Sequence, residues 1–119
     1  MKENSIKIRI KKPASEIFEF VLNPENTPKY LDFIVEEKSD GPAGLGIKYT
    51  NIDTSGTVTT YELTKFEQDK LFDLHKVGSD YTCQYKMTPI SDVETELEYS
   101  EWVEGGYSKT RLRPPFLKS

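Results

Sequence analysis

The sequence predicts an α+β domain in which a curved antiparallel β-sheet of about seven strands packs against two short helices. Three observations predict it. Residues 5–11 alternate isoleucine with basic residues, as a half-buried strand does. Two short helical segments with proline near their starts follow. From residue 34 to residue 104, alternating apolar and polar residues are separated by turn signals, which is typical of an antiparallel meander.

Composition and charge exclude several classes of protein. The 119 residues predict one domain, residues 1–119. Sixteen basic and twenty acidic residues argue against nucleic acid as a partner. One Cys and one His exclude a disulfide scaffold and a zinc site of Cys and His within one chain, so we expect no metal and no cofactor. No apolar run approaches membrane-spanning length and the first four residues do not resemble a signal peptide, so we predict a cytoplasmic protein without membrane insertion.

Each helical segment has start and stop signals. Pro13 opens the first helix, and Asn23 followed by Pro24 ends it. Thr27 is predicted as the N-cap of the second helix, with Pro28 at its first helical position. The apolar stripe of the first helix consists of Ile17, Phe18, Val21 and Leu22.

Turn positions predict the register of the long strands. The strands after the helices are expected at residues 35–38, 47–52, 57–66, 71–77, 81–88 and 94–104. A Gly78-Ser79 turn pairs Leu74 with Cys83, and a turn at 67–70 pairs Leu63 with Leu74. A turn at 89–92 pairs Tyr85 with Leu97 and Cys83 with Tyr99.

This register predicts one apolar and one polar face. The apolar face carries Leu63, Phe72, Leu74, Cys83, Tyr85, Met87, Leu97 and Tyr99. The polar face carries Thr64, Asp73, His75, Thr82, Gln84, Lys86, Glu96 and Glu98.

The order of strand, two short helices and long antiparallel meander resembles the START-like, or SRPBCC, superfamily of polyketide cyclases and lipid-transport proteins. The matching segments lie at residues 13–18, 23–30, 41–46, 60–66 and 95–99. The resemblance implies a sheet that wraps a long C-terminal helix and encloses an apolar ligand cavity. The thirteen residues after Gly106 contain Pro114 and Pro115, so we expect this lid helix to be short or absent.

The apolar face is therefore predicted to bind a small hydrophobic molecule, lipid-like or polyketide-like, although it also fits an ordinary core. The predicted ligand-binding residues are Tyr49, Tyr61, Leu63, Phe72, Leu74, Lys76, Tyr81, Cys83, Tyr85, Leu97, Tyr99 and Glu101. Because the shortened lid leaves apolar surface uncovered, we also expect a homodimer.

Two other functions stay open. The register places Tyr61, Lys76, Tyr81 and Glu101 in one row, which suits a cyclase- or hydratase-type enzyme using Glu101, Tyr81 and Lys76, or else an inert row in water at the cavity mouth. A protein-interaction module of the same fold is the other possibility.

Three remaining features are predicted to carry no catalysis. His75 lies on the polar face, away from any nucleophile, and Cys83 is expected to be a small buried apolar residue. The glycine-containing segment 41–46 leads into a strand rather than a helix, so we expect a rim loop and not a phosphate site.

Overall fold

A computed structural model of the chain describes residues 2–103, and within them one curved antiparallel sheet has seven strands in the order β1-β7-β6-β5-β4-β3-β2. The predicted fold class is confirmed. The strands are β1 (Lys2–Ile10), β2 (Ile34–Ser39), β3 (Lys48–Asp53), β4 (Val58–Glu67), β5 (Leu71–Lys76), β6 (Tyr81–Ser91) and β7 (Glu94–Val103). The helices are α1 (Ala14–Leu22) and α2 (Thr27–Tyr30), with one 3-10 turn at Pro24–Asn26 between them. The expected short lid helix concerns residues outside the described range.

In the sequence, the helices follow β1 and precede β2, and these two strands form the opposite edges of the sheet. α1 turns its apolar stripe onto the concave face, and Phe18 is fully buried there with its ring edge-on to Phe66 and Phe72. Asn23 ends α1 as predicted, and its side chain accepts a hydrogen bond from the Glu25 N–H in the 3-10 turn.

The prediction that Thr27 caps α2 was wrong. Asn26 is the N-cap, and Thr27 lies inside the first turn with Pro28 after it. The Thr27 hydroxyl donates instead to the carboxylate of Glu37 on β2. The 3-10 turn moved the start of α2 one residue earlier and released this hydroxyl for a tertiary contact.

Two of the three predicted hairpin pairings are confirmed. Leu74 pairs with Cys83, and Leu63 pairs with Leu74. The β4–β5 turn is one residue shorter than expected, because Glu67 pairs with Leu71 and Asp69 takes a left-handed φ of 62°. A bulge at residue 64 inserts one extra residue into β4. The shorter turn and the bulge shift the register in opposite directions, so Leu63 still pairs with Leu74.

The predicted β6–β7 register was wrong by two residues. Tyr85 pairs with Tyr99, Met87 with Leu97 and Cys83 with Glu101, because the strands continue past Pro89 to a tighter turn with a bulge between Pro89 and Ser91. Lys86 therefore lies opposite Glu98, and not Glu96.

The assignment of faces survived this error, since side chains alternate with a period of two. All eight residues predicted on the apolar face are buried. The opposite face is drier than expected: Asp73 is buried and accepts a hydrogen bond from Gln84 at 2.8 Å, and His75 Nδ1 lies 3.0 Å from the Thr82 hydroxyl. Burial raises the pKa of Asp73 above its ordinary value.

Candidate functional site

An internal cavity of about 40 Å³ lies on the concave face, between the helices and the middle of the sheet. We call it the inner pocket. Both helices and the six strands from β2 to β7 contribute to its wall, because the sheet curves around the two short helices. Its lining consists of Val21, Leu22, Thr27, Tyr30, Leu31, Phe33, Ile34, Glu37, Tyr49, Asn51, Tyr61, Phe72, Leu74, Tyr81, Cys83, Tyr85 and Tyr99.

Aromatic rings form the floor of the inner pocket. Phe72 and Tyr85 stack with ring centroids 4.9 Å apart, a contact that their cross-strand pairing produces. Tyr99 and Tyr30 both meet the Tyr85 ring edge-on, at 5.0 and 6.4 Å. These rings fill most of the concave face, which is why the remaining space is small.

Among the described residues that line this pocket, Glu37 supplies the only carboxylate. A bulge at Val35 separates the pairing of Ile34 with Asp53 from that of Glu36 with Ile52. Because of this extra residue, Glu37 and not Glu36 faces inward, opposite Asn51. Strict alternation from the buried Ile34 would have placed Glu36 inside.

Two neutral donors hold the Glu37 carboxylate. The Thr27 hydroxyl donates to Oε1 at 2.6 Å, and the Asn51 amide donates to Oε2 at 3.2 Å. Burial raises the pKa of Glu37 above its ordinary value of 4.5, although both hydrogen bonds act in the opposite direction. The pocket therefore has one polar, acidic end and an aromatic body.

Two tyrosine hydroxyls tie the end of α1 to this pocket. Tyr30 donates to the Val21 carbonyl at 3.0 Å and Tyr49 donates to the Leu22 carbonyl at 3.1 Å. These carbonyls belong to the last turn of α1, which has no helical N–H to satisfy them. Burial raises the pKa of Tyr49 to about 12 and that of Tyr30 further, so both hydroxyls keep their protons at neutral pH.

A second polar group lies behind the pocket wall. The Tyr81 hydroxyl donates to Glu101 Oε1 at 2.6 Å and lies 3.2 Å from the Tyr99 hydroxyl. Glu101 is 1% exposed, so the alternative of an inert row in water is wrong for this residue. Val103, and not Glu101, is directly opposite Tyr81; the carboxylate is reached diagonally from its position opposite Cys83.

The structure brings eight of the twelve predicted residues together around the inner pocket: Tyr49, Tyr61, Phe72, Leu74, Tyr81, Cys83, Tyr85 and Tyr99. The other four lie elsewhere. Leu63 is fully buried in the core, Lys76 is half-buried opposite Tyr61, and Glu101 lies behind Tyr81. Leu97 lines a separate groove.

This apolar groove has a volume of about 360 Å³ and lies between α1 and strands β1 and β7. It shares Val21 and Tyr30 with the inner pocket, so these two side chains form the wall between them. Lys12, Glu16 and Lys29 stand among its lining residues, while the rest of the lining is Ile8, Ile10, Ile17, Phe20 and Leu97.

Sequence reasoning missed the acidic end of the pocket. Glu37 and Asn51 belong to short strands whose pairing with each other had not been predicted, and the bulge reverses the side of β2 on which Glu37 lies. Tyr30 was not among the predicted ligand-binding residues. A usable signal was the spacing of Tyr49 and Asn51, which are two positions apart and therefore share one face of β3.

Cys83, which was predicted to carry no catalysis, is buried among the residues that line the inner pocket. Burial raises the pKa of the Cys83 thiol to about 12, which keeps it protonated and unreactive at neutral pH. Within residues 2–103, no group of three or more His, Cys, Asp or Glu side chains is placed to hold a metal ion. None of the helices in that range has the length and apolar content needed to cross a bilayer.

No protein-family model matches the chain, and no curated protein matches it in sequence. Solved structures do match its fold. The di-domain ARO/CYC BexL from the BE-7585A biosynthetic pathway is 14% identical with a TM-score of 0.73, over 87% of this chain and 36% of that chain. The Aha1 dimer from Colwellia psychrerythraea is 13% identical with a TM-score of 0.69, over 93% of this chain and 81% of that chain.

Norcoclaurine synthase from Thalictrum flavum, in complex with dopamine and hydroxybenzaldehyde, is 12% identical with a TM-score of 0.65. The match covers 84% of this chain and 67% of that chain. At these identities the likeness concerns the arrangement of helices and strands.

Proposed function

The chain has the START-like, helix-grip fold, and we propose that it binds or carries a small, mostly apolar molecule on the concave face of its sheet. The apolar body of the ligand lies in the groove between α1, β1 and β7 and contacts Tyr30, the residue that this groove shares with the inner pocket.

The apolar groove is the observation that carries this proposal. Its volume of about 360 Å³ falls at the lower end of the range of small-molecule sites, whereas the inner pocket holds only about three water molecules. Phe20 lies on its wall with 41% of its surface exposed, although a phenyl ring on a helix next to the core is normally covered. A ligand in the groove removes this ring from water.

The structural neighbours support a role in small-molecule binding. Norcoclaurine synthase, with the same fold, has been solved with dopamine and hydroxybenzaldehyde, which are aromatic molecules of a size that the groove accepts. BexL is an ARO/CYC protein of a biosynthetic pathway. The fold is therefore compatible with aromatic ligands, and the tyrosine-rich pocket beside the groove offers edge and face contacts to them.

A pair of matched charge insertions tests the proposal. Phe20→Glu places a carboxylate on the groove wall, and Val93→Glu places one on the β6–β7 turn, where Val93 is 68% exposed and away from both cavities. Titration with the neutral fluorophore N-phenyl-1-naphthylamine should show binding to the parent and to Val93→Glu, and at least tenfold weaker binding to Phe20→Glu. No enhancement with the parent, or equal affinity of all three proteins, would contradict the groove as the site.

A second candidate is a cyclase- or hydratase-type enzyme, which the buried contact between Tyr81 and Glu101 favours. Tyr81 borders the inner pocket, and because its hydroxyl donates to Glu101, its oxygen can accept a hydrogen bond from a bound molecule. Lys76 is half-buried opposite Tyr61 at the same end of the sheet. Mass spectrometry of a molecule extracted before and after incubation separates the two functions, since a carrier returns it unchanged and an enzyme returns a product.

We further propose that the chain forms a homodimer that covers the groove when no ligand occupies it. The groove exposes apolar side chains from α1 and β1, and contact of such a surface with water is unfavourable by about 25 cal/mol per Å². A neighbour with the same fold, Aha1, has been solved as a dimer. A role as a protein-interaction module would use the same surface.

A further inference from the structure

We propose that the ligand carries a protonated amino group and that the Glu37 carboxylate at the end of the inner pocket binds it. This inference rests on the proposed binding function and adds the charge of the ligand. The site is built from three neighbouring elements, since Thr27 on α2 and Asn51 on β3 fix the carboxylate of Glu37 on β2.

The carboxylate has capacity for another donor. An ionised carboxylate has about four acceptor positions, and Thr27 and Asn51 use two of them. Both donors are neutral, and within residues 4–103, whose side chains the structure describes, no Lys, Arg or His nitrogen lies within ion-pair distance of Glu37. A cation in the pocket would complete the charge balance that these residues leave open.

The surroundings of Glu37 also favour a cation. The inner pocket presents tyrosine and phenylalanine rings, whose faces attract positive charge, and none of its lining residues in the described part of the chain is basic. Burial disfavours the charged form of the Glu37 carboxylate, and a nearby ammonium group would stabilise that form. A primary ammonium has three N–H donors, which is enough to fill the two acceptor positions that remain.

The volumes of the two cavities indicate which part of the ligand each of them holds. About 40 Å³ accommodates an ammonium head with little else, and about 360 Å³ in the groove accommodates the apolar body. Val21 and Tyr30 border both spaces, so the Tyr30 ring must move aside for one ligand to occupy the inner pocket and the groove together.

An anionic head group is the main competitor, because two lysines stand among the groove residues. Both already have partners: Lys12 pairs with Glu16 at 3.5 Å and Lys29 donates to the Asn26 side chain at 2.9 Å. Both lysines are exposed, so an ion pair between either of them and an anionic head group would be weak. The geometry therefore favours a cation at the buried end over an anion at the rim.

Three probes that differ mainly in charge test the inference. 2-Phenylethylamine is a cation at pH 7, 2-phenylethanol is its neutral counterpart, and 3-phenylpropanoate is an anion. Affinities are measured by NMR titration of ¹⁵N-labelled protein, in which the Asn51 side-chain amide reports directly on Glu37. We expect the parent to bind the amine at least tenfold more tightly than the alcohol and the anion.

Two isosteric variants locate the selectivity. Glu37→Gln keeps an acceptor for Thr27 and removes the charge, so the amine-to-alcohol affinity ratio should fall to about one while the affinity for the alcohol stays within twofold. Glu36→Gln removes an exposed charge from the adjacent position, outside the pocket, and should keep the ratio of the parent. A role of Glu37 limited to holding α2 against the sheet would leave the ratio unchanged.

The outcomes separate the two proposals. Equal binding of amine and alcohol by the parent, tighter binding of the anion, or selectivity that persists in Glu37→Gln overturns the charge inference and leaves the binding function standing. Binding of none of the probes and of no neutral fluorophore overturns both. If Glu37→Gln does not fold, the affinity ratio in the parent decides the question alone.

Discussion

Replacing Leu97 with Ala should lower the free energy of unfolding by about 3 kcal/mol. Leu97 lies on β7 at 2% exposure and pairs with Met87 on one side and Ile8 on the other. The substitution removes three carbon atoms from the core, which costs about 2.4 kcal/mol at about 0.8 kcal/mol for each buried CH₂ group. The cavity left behind adds to this cost, but only in part, because the side chain borders the groove and the new space joins an existing one.

Urea unfolding followed by circular dichroism measures this loss, and Leu45→Ala is the matched control. The same three carbons are removed at Leu45, which is 69% exposed in the loop before β3, and the expected change is below about 0.5 kcal/mol. A loss below about 0.5 kcal/mol for Leu97→Ala, or equal losses for both variants, would refute the inward orientation of β7 side chains.

Three further predictions follow from the buried polar groups and the exposed groove. Tyr81→Phe removes the hydroxyl that donates to the buried Glu101 and should cost about 1–3 kcal/mol in urea unfolding; a neutral effect would mean that this hydrogen bond contributes nothing net. Burial raises the pKa of Cys83 to about 12 and also raises that of several tyrosines, so unfolding releases protons at alkaline pH, and the unfolding free energy should fall as pH rises above about 9–10. Constant stability between pH 8 and pH 11 would contradict the burial of these groups. Sedimentation equilibrium at micromolar concentration should show a dimer, and Phe20→Glu should shift it to monomer; a parent that is monomeric without a bound ligand would refute the proposed self-association.

The faces of the long strands were predictable from sequence, whereas the pairing across the β6–β7 turn was not. Alternation decides which face a residue occupies, and it tolerates any shift by an even number of residues. The shift moved Glu101 from the position opposite Tyr81 to the position opposite Cys83 without changing its face. The side chains of Tyr81 and Glu101 still meet, although the backbone pairing that placed them in one row was wrong.

Bulges mark the limit of this reasoning. The extra residue at position 64 offset the wrongly predicted length of the neighbouring turn, so the predicted pairing of Leu63 with Leu74 was still correct. The extra residue at Val35 had the opposite effect, because it determines that Glu37 faces the inner pocket and Glu36 faces solvent. A bulge depends on how two strands twist against each other, and the local alternation of residues does not record it. The acidic end of the candidate site was therefore the part that sequence could not provide.

The position of β1 at the edge of the sheet affects how the chain folds during its synthesis on the ribosome. The pairing partner of β1 is β7, and Ile6 pairs with Tyr99, more than ninety positions later in the chain. At a synthesis rate of about 5–20 residues per second, Tyr99 is added about 5–20 s after Ile6. During that interval the isoleucines of β1 have no sheet to join. Lys7 and Arg9 alternate with them and give the nascent strand a positive charge that discourages pairing with other chains. Completion of the sheet is thus the last event of synthesis for the described residues, and the same lysine and arginine then lie opposite Glu98 and Glu96.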